Sequence, residues 1–98
     1  MTSEPDYAPA LEQALRRALD HLGKAKDGPV GATATLAELR ARHHRPLAED
    51  GMVPAQVIEE LVRDVEGGIV NSTCGRFFGW VIGGTLPAAS AADWLTSA

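Results

Sequence analysis

Leu11, Leu15, Ala18, Leu19 and Leu22 recur at spacings of three and four. That period predicts an amphipathic helix opening near Pro9, with one apolar stripe. Glu12 and Arg16 stand four apart on another face in the favourable acid-first order, and Gly23 is placed where a left-handed C-terminal cap is expected. Residues 24–34 hold Gly28, Pro29 and Gly31 and read as a loop. Thr35-Leu36-Ala37-Glu38 matches a capping box and opens a short second helix, with Leu36 and Leu39 expected to face inward. Its basic end (Arg40, Arg42, His43, His44, Arg45) complements the negative pole of a helix dipole, and Pro46 closes it. A third helix has Pro54 in its first turn, an apolar face of Val57, Ile58, Leu61, Val62 and Val65, and Gly67-Gly68 as its stop.

Beyond that helix the texture changes. Residues 67–86 read as an extended stretch punctuated by glycine, with Phe77, Phe78, Trp80, Val81 and Ile82 as its apolar content. Thr85-Leu86-Pro87 then starts a fourth helix with Pro87 at or near its first position. That helix carries no Gly, Asn or basic stop signal, so the pattern predicts a chain that continues. The expected organisation is a loose leader over 1–8, a helical segment over 9–66, the Gly/aromatic stretch over 67–86, and over 87–98 a helix leading into a larger domain. The fold class is mostly α, with three to four helices.

Ninety-eight residues allow at most one small domain, and a chain of that size buries a modest fraction of its surface. Cys74 is the sole cysteine, which excludes an intrachain disulfide and suits a reducing compartment. No run of about 18 apolar residues exists to span a membrane, and the acidic opening residues exclude a secretory signal. The expectation is a cytoplasmic protein. A net charge of −4 with interspersed signs gives no general attraction to nucleic acid or anionic lipid.

Candidate chemistry is sparse. His43 and His44 are adjacent, so on a helix they point about 100° apart, and His21 is remote; metal sites on helices want ligands on one face. Arg40 to Arg45 is explained by a solvated helix end as well as by a phosphate-binding patch. Residues 75–82 superficially resemble the aromatic strand of RNA-recognition motifs, but Phe77 and Gly83 stand where that motif wants Gly and an aromatic, and no second aromatic strand accompanies them. Asn71-Ser72-Thr73 is a glycosylation sequon by pattern and a polar turn by context. Cys74 has Arg76 nearby, yet no base or resolving cysteine. The only lysines, Lys24 and Lys26, lie in a polar connection, whereas a Schiff-base lysine needs a desolvated or tuned pocket.

The run Gly75-Arg76-Phe77-Phe78-Gly79-Trp80-Val81-Ile82-Gly83-Gly84-Thr85-Leu86-Pro87-Ala88-Ala89, followed by Ala91-Ala92-Asp93-Trp94-Leu95-Thr96-Ser97-Ala98, closely resembles the start of pyridoxal-phosphate-dependent group II amino-acid decarboxylases. That family includes the aromatic-amino-acid, histidine and glutamate decarboxylases. Leu36-Ala37-Glu38-Leu39-Arg40, Pro46-Leu47 and the helix from Val57 to Val65 are similar to the family's amino-terminal region. The resemblance implies a fold-type-I enzyme, an α/β aminotransferase-like homodimer when complete, whose amino-terminal helices pack onto the partner subunit. It implies a carboxy-lyase acting on an amino-acid substrate, with residues Trp80, Val81, Ile82, Gly83, Gly84 and Thr85 on the substrate side of the site. The family's Schiff-base lysine, stacking histidine and pyridine-pairing aspartate have no counterpart in this chain, so it is expected to be inactive and not to bind pyridoxal phosphate alone. Many members carry His-Pro before the Arg-Phe-Phe-like run where this chain has Cys74-Gly75, which leaves the substrate subclass open. The alternative is a stand-alone helical interaction module without enzymatic activity.

Overall fold

The computed structural model describes residues 4–80 and 84–98. Among them are helices α1 (Ala8–Lys24), α2 (Leu36–His43), α3 (Pro54–Val65) and α4 (Pro87–Ser97), and no strand. The mostly helical class follows. The stretch expected to be extended is instead a series of turns over residues 66–68 and 72–76, closed by bonds such as Gly68 N–H to the Val65 carbonyl (2.8 Å) and Ser72 N–H to the Val70 carbonyl (2.8 Å). Its glycines and its Asn-Ser-Thr run suit turns better than a ladder, and no neighbouring strand is present among the described residues to pair with.

The helix ends show which local signals held. The capping box of α2 forms in full: Glu38 N–H donates to Thr35 Oγ1 (3.1 Å) and Thr35 N–H donates to Glu38 Oε2 (2.9 Å). Pro54 and Pro87 each occupy the first position of their helices, where a missing N–H costs nothing. Gly67 takes φ +78°, and a Cβ there would fall 2.9 Å from the Ala34 Cβ, so only glycine fits. Its carbonyl accepts from Thr33 N–H (2.8 Å) and Ala34 N–H (3.0 Å), tying the end of α3 to the approach to α2.

Gly23 corrects the sequence reading. It does not cap α1; the helix runs through it to Lys24, and Ala25 follows in right-handed helical geometry. The turn that follows is closed locally, Gly28 N–H donating to the Lys24 carbonyl (2.9 Å), and the Ala25 carbonyl accepts the side-chain amide of Asn71 at 2.7 Å. The expected Glu12–Arg16 pair is also absent, because Arg16 donates to the Gln13 side chain.

α3 is the hub: α1 and α2 both pack on it, and α4 contacts no other helix among the described residues. Glu59 of α3 accepts from Arg17 Nε at 3.2 Å, from the Arg17 terminal nitrogen, and from the Gln13 amide. Gln13 and Arg17 are one turn apart on α1, so both ends of this clamp set the rotation of that helix. The half-buried side of α1 is consequently Ala10, Gln13, Ala14, Arg17 and Ala18. The leucine stripe of Leu11, Leu15, Leu19 and Leu22 remains 41–59 % exposed. Leu36, expected inward, is 62 % exposed, whereas Leu39 is half-buried and lies against the Gly68 backbone. On α3, Ile58, Val62 and Val65 are half-buried while Val57 and Leu61 are exposed.

Little apolar surface is therefore enclosed. Ala25 and Cys74 are the buried apolar residues among those described. The radius of gyration is 16.0 Å, against about 13 Å for a compact chain of roughly 100 residues.

Two outcomes follow from this architecture. A chain with so small a core balances near zero stability, so circular dichroism should report helix with a broad, concentration-dependent melt. A sharp two-state melt of a dilute monomer would overturn that. The second concerns acid. Hydrogen bonding from Arg17 holds the Glu59 carboxyl below its ordinary value of 4.5; burial opposes this, and the Arg17 charge and the Gln13 bond add to it. With the folded value depressed, the contribution is fully present above 4.5 and is lost as pH falls through the folded value. Glu59→Gln should lower helicity at neutral pH and flatten its decline in the acid range; parallel acid titrations of the two proteins would refute the clamp.

Candidate functional site

The segment that bears the predicted site residues is fastened before it reaches them. Asn71, 5 % exposed, donates its backbone N–H to the Val30 carbonyl (2.8 Å) as well as its side-chain amide to Ala25. Arg76 donates to the carbonyls of Lys26 (3.2 Å) and Gly28. Gly28 suits the turn itself, since a Cβ there would stand 3.1 Å from the Lys24 carbonyl. Residues 71–76 thus sit on the turn that ends α1.

The aromatic residues come next. Phe77 is half-buried and packs against Trp80 with ring centroids 6.1 Å apart and planes tilted by 41°. This tilted pairing is a favourable aromatic geometry. Trp80 itself is 83 % exposed and has φ +52°, a left-handed conformation that costs a non-glycine residue roughly 1–2 kcal/mol. Val81, Ile82 and Gly83 lie outside the described residues. Gly84 and Thr85 are exposed, and a Cβ on Gly84 would lie 3.5 Å from the Thr73 carbonyl. The loop that begins at the fastened segment therefore returns to it.

The last helix begins without a cap from Thr85. Leu86 is the N-cap of α4 with no side-chain cap bond, and the Thr85 hydroxyl bonds to the Ser90 hydroxyl instead. The Pro87 ring takes the first helical position, moving the cap one residue beyond Thr85. The N–H groups of Ala88 and Ala89 have no acceptor within the helix and receive no side-chain cap, so this helix start offers donors and a partial positive charge.

The other candidates are accounted for by the fold. Arg45 pairs with Glu60 (3.5 Å) and with the buried Asp64, and Arg42 donates to the Glu66 carbonyl. Arg42 and Arg45 are thus directed at α3, while Arg40, His43 and His44 are exposed. His43 Nδ1 lies 2.7 Å from the Leu39 carbonyl, and no three metal-ligating side chains converge among the described residues. The Asn71 amide that a glycan would need is buried and donated to Ala25. Cys74 is buried. No described helix is long and apolar enough to cross a membrane.

Sequence reasoning missed the Arg17–Glu59 clamp and the Asn71 and Arg76 ties. Their partners are 42 to 50 residues apart, and no local spacing rule links such positions. The buried polar type of Asn71 was legible only as a turn former.

Pyridoxal phosphate enters solely through the family resemblance, and the residues present do not fit its aldehyde. Lys24 is exposed and paired with Asp20 at 3.1 Å, and Lys26 is exposed. Neither lies in the desolvated pocket that a Schiff-base lysine needs. No protein-family model matches the chain, and no curated protein and no solved structure matches it.

Borohydride reduction after mixing the chain with pyridoxal phosphate should give weak, unsaturable labelling divided between Lys24 and Lys26. Stoichiometric labelling of either one alone would show a cofactor pocket that this geometry denies.

Proposed function

We propose that this chain is the amino-terminal segment of a pyridoxal-phosphate-dependent amino-acid decarboxylase, supplying dimer contacts and part of the substrate side of the site, and inactive alone. The observation that carries the reading is the residue run 75–98, whose order of glycines, aromatics and the Leu-Pro-Ala-Ala helix start resembles that family. In the complete enzyme the cofactor would supply the electron sink for loss of the substrate carboxylate, and its lysine would lie beyond these residues.

Two structural features support this reading. The exposed leucines of α1 form a face suited to burial against a partner subunit of a homodimer. The exposed Trp80 and the free amides at the start of α4 bracket residues 81–83, so an apolar wall and an anion-attracting helix end occur within one short stretch. An amino-acid substrate presents the complementary pair of side chain and carboxylate.

The test uses the complete protein. Carbon dioxide release from an aromatic amino acid, histidine or glutamate, dependent on the cofactor, is the expected outcome. Gly84→Val narrows the proposed substrate side while its Cβ meets only ordinary contact with Thr73. It should raise KM by about tenfold, equivalent to about 1.4 kcal/mol, with the cofactor absorbance and the melt near normal. Unchanged kcat/KM in an intact fold would make residues 80–85 scaffolding. Absence of decarboxylation with all three substrate classes would leave the helical interaction module in its place.

A further inference from the structure

We infer that Asn71 and Arg76 are positioning residues, a two-point clasp that seats the aromatic turn on the C-terminal end of α1. The last turn of a helix leaves carbonyls without partners and gathers partial negative charge. Here the turn just beyond that end, residues 25–28, receives a neutral donor and a cation from a segment some 50 residues away. Asn71 closes on Ala25 at 2.7 Å, and the Arg76 guanidinium spans the carbonyls of Lys26 and Gly28. The two donors differ in surroundings. Asn71 is 5 % exposed and fixes the place, while Arg76 is exposed and contributes charge where solvent still reaches.

The clasp governs more than its own bonds. Phe77 follows Arg76 directly, and its ring is the support for Trp80. Thr73, between the two clasp residues, meets the returning backbone at Gly84. Both feet of the loop that carries residues 77–84 therefore stand on the clasped segment. Two further polar atoms, Asn71 Oδ1 and Thr73 Oγ1, are buried there without a protein partner. Such unmet groups disfavour this seat, so the bonds from Asn71 and Arg76 are what hold the segment in it. Its bearing on substrate affinity rests on the decarboxylase reading; the clasp itself does not.

The experiment is done first on the 98-residue chain, with trimethylamine N-oxide to favour the compact state. A Trp94→Phe background leaves Trp80 as the sole tryptophan. Arg76→Ala should speed amide exchange across residues 69–80 by about tenfold, the opening expected when a tie of about 1.4 kcal/mol is removed. It should also increase acrylamide quenching of Trp80, with the α1 and α3 amides unchanged. Arg76→Lys, which keeps the charge and loses the fork, should restore part of the protection. Equal exchange over 69–80 in the parent and Arg76→Ala overturns the clasp. So does loss of protection spread evenly over α1 and α3, which would make Arg76 a general stabiliser. In the complete protein Arg76→Ala should then raise KM with little change in kcat. If the exchange result holds and KM does not move, the clasp stands and the substrate-side reading falls.

Discussion

The Glu59 carboxylate determines how this molecule is arranged. It accepts from both Gln13 and Arg17, which lie one turn apart on α1, so it fixes that helix in rotation as well as position on α3. With Ala14 and Ala18 thereby turned toward α3, the leucines have to face outward. An apolar pattern alone would have rotated the helix to bury them. At the contact α3 presents the Glu59 carboxylate to Gln13 and Arg17, and the half-buried residues beside them on α1 are the small Ala10, Ala14 and Ala18.

Elsewhere too the chain is held by polar ties more than by a core. The Gly67 carbonyl binds the approach to α2, Arg45 binds Glu60 and Asp64, and Asn71 with Arg76 binds the end of α1. Such ties are directional and individually modest, since each exchanges hydrogen bonds with water. They set geometry well and supply little free energy. The leucine face of α1, the exposed Val57 and Leu61, and the exposed aromatics are the surfaces whose burial would add the missing stabilisation.

The functional proposal draws together the same features. A homodimer partner would cover the α1 face, and a substrate would meet the loop that joins the clasped segment to α4. The α1 leucines and Trp80 are exposed among the described residues.

The helices and most of their boundaries were legible along the chain, because capping, proline placement and apolar period act over a few residues. The Thr35–Glu38 box, Pro54 and Pro87 at their first positions, and Gly67 beyond α3 all obey such local rules. Gly23 is passed over: α1 runs on to Lys24, and Asn71, 46 residues away, takes the Ala25 carbonyl beyond it. The direction of the leucine stripe was the largest matter decided only in three dimensions. A period states that an apolar face exists, but which face is covered depends on what the neighbouring helix presents, and α3 presents Glu59.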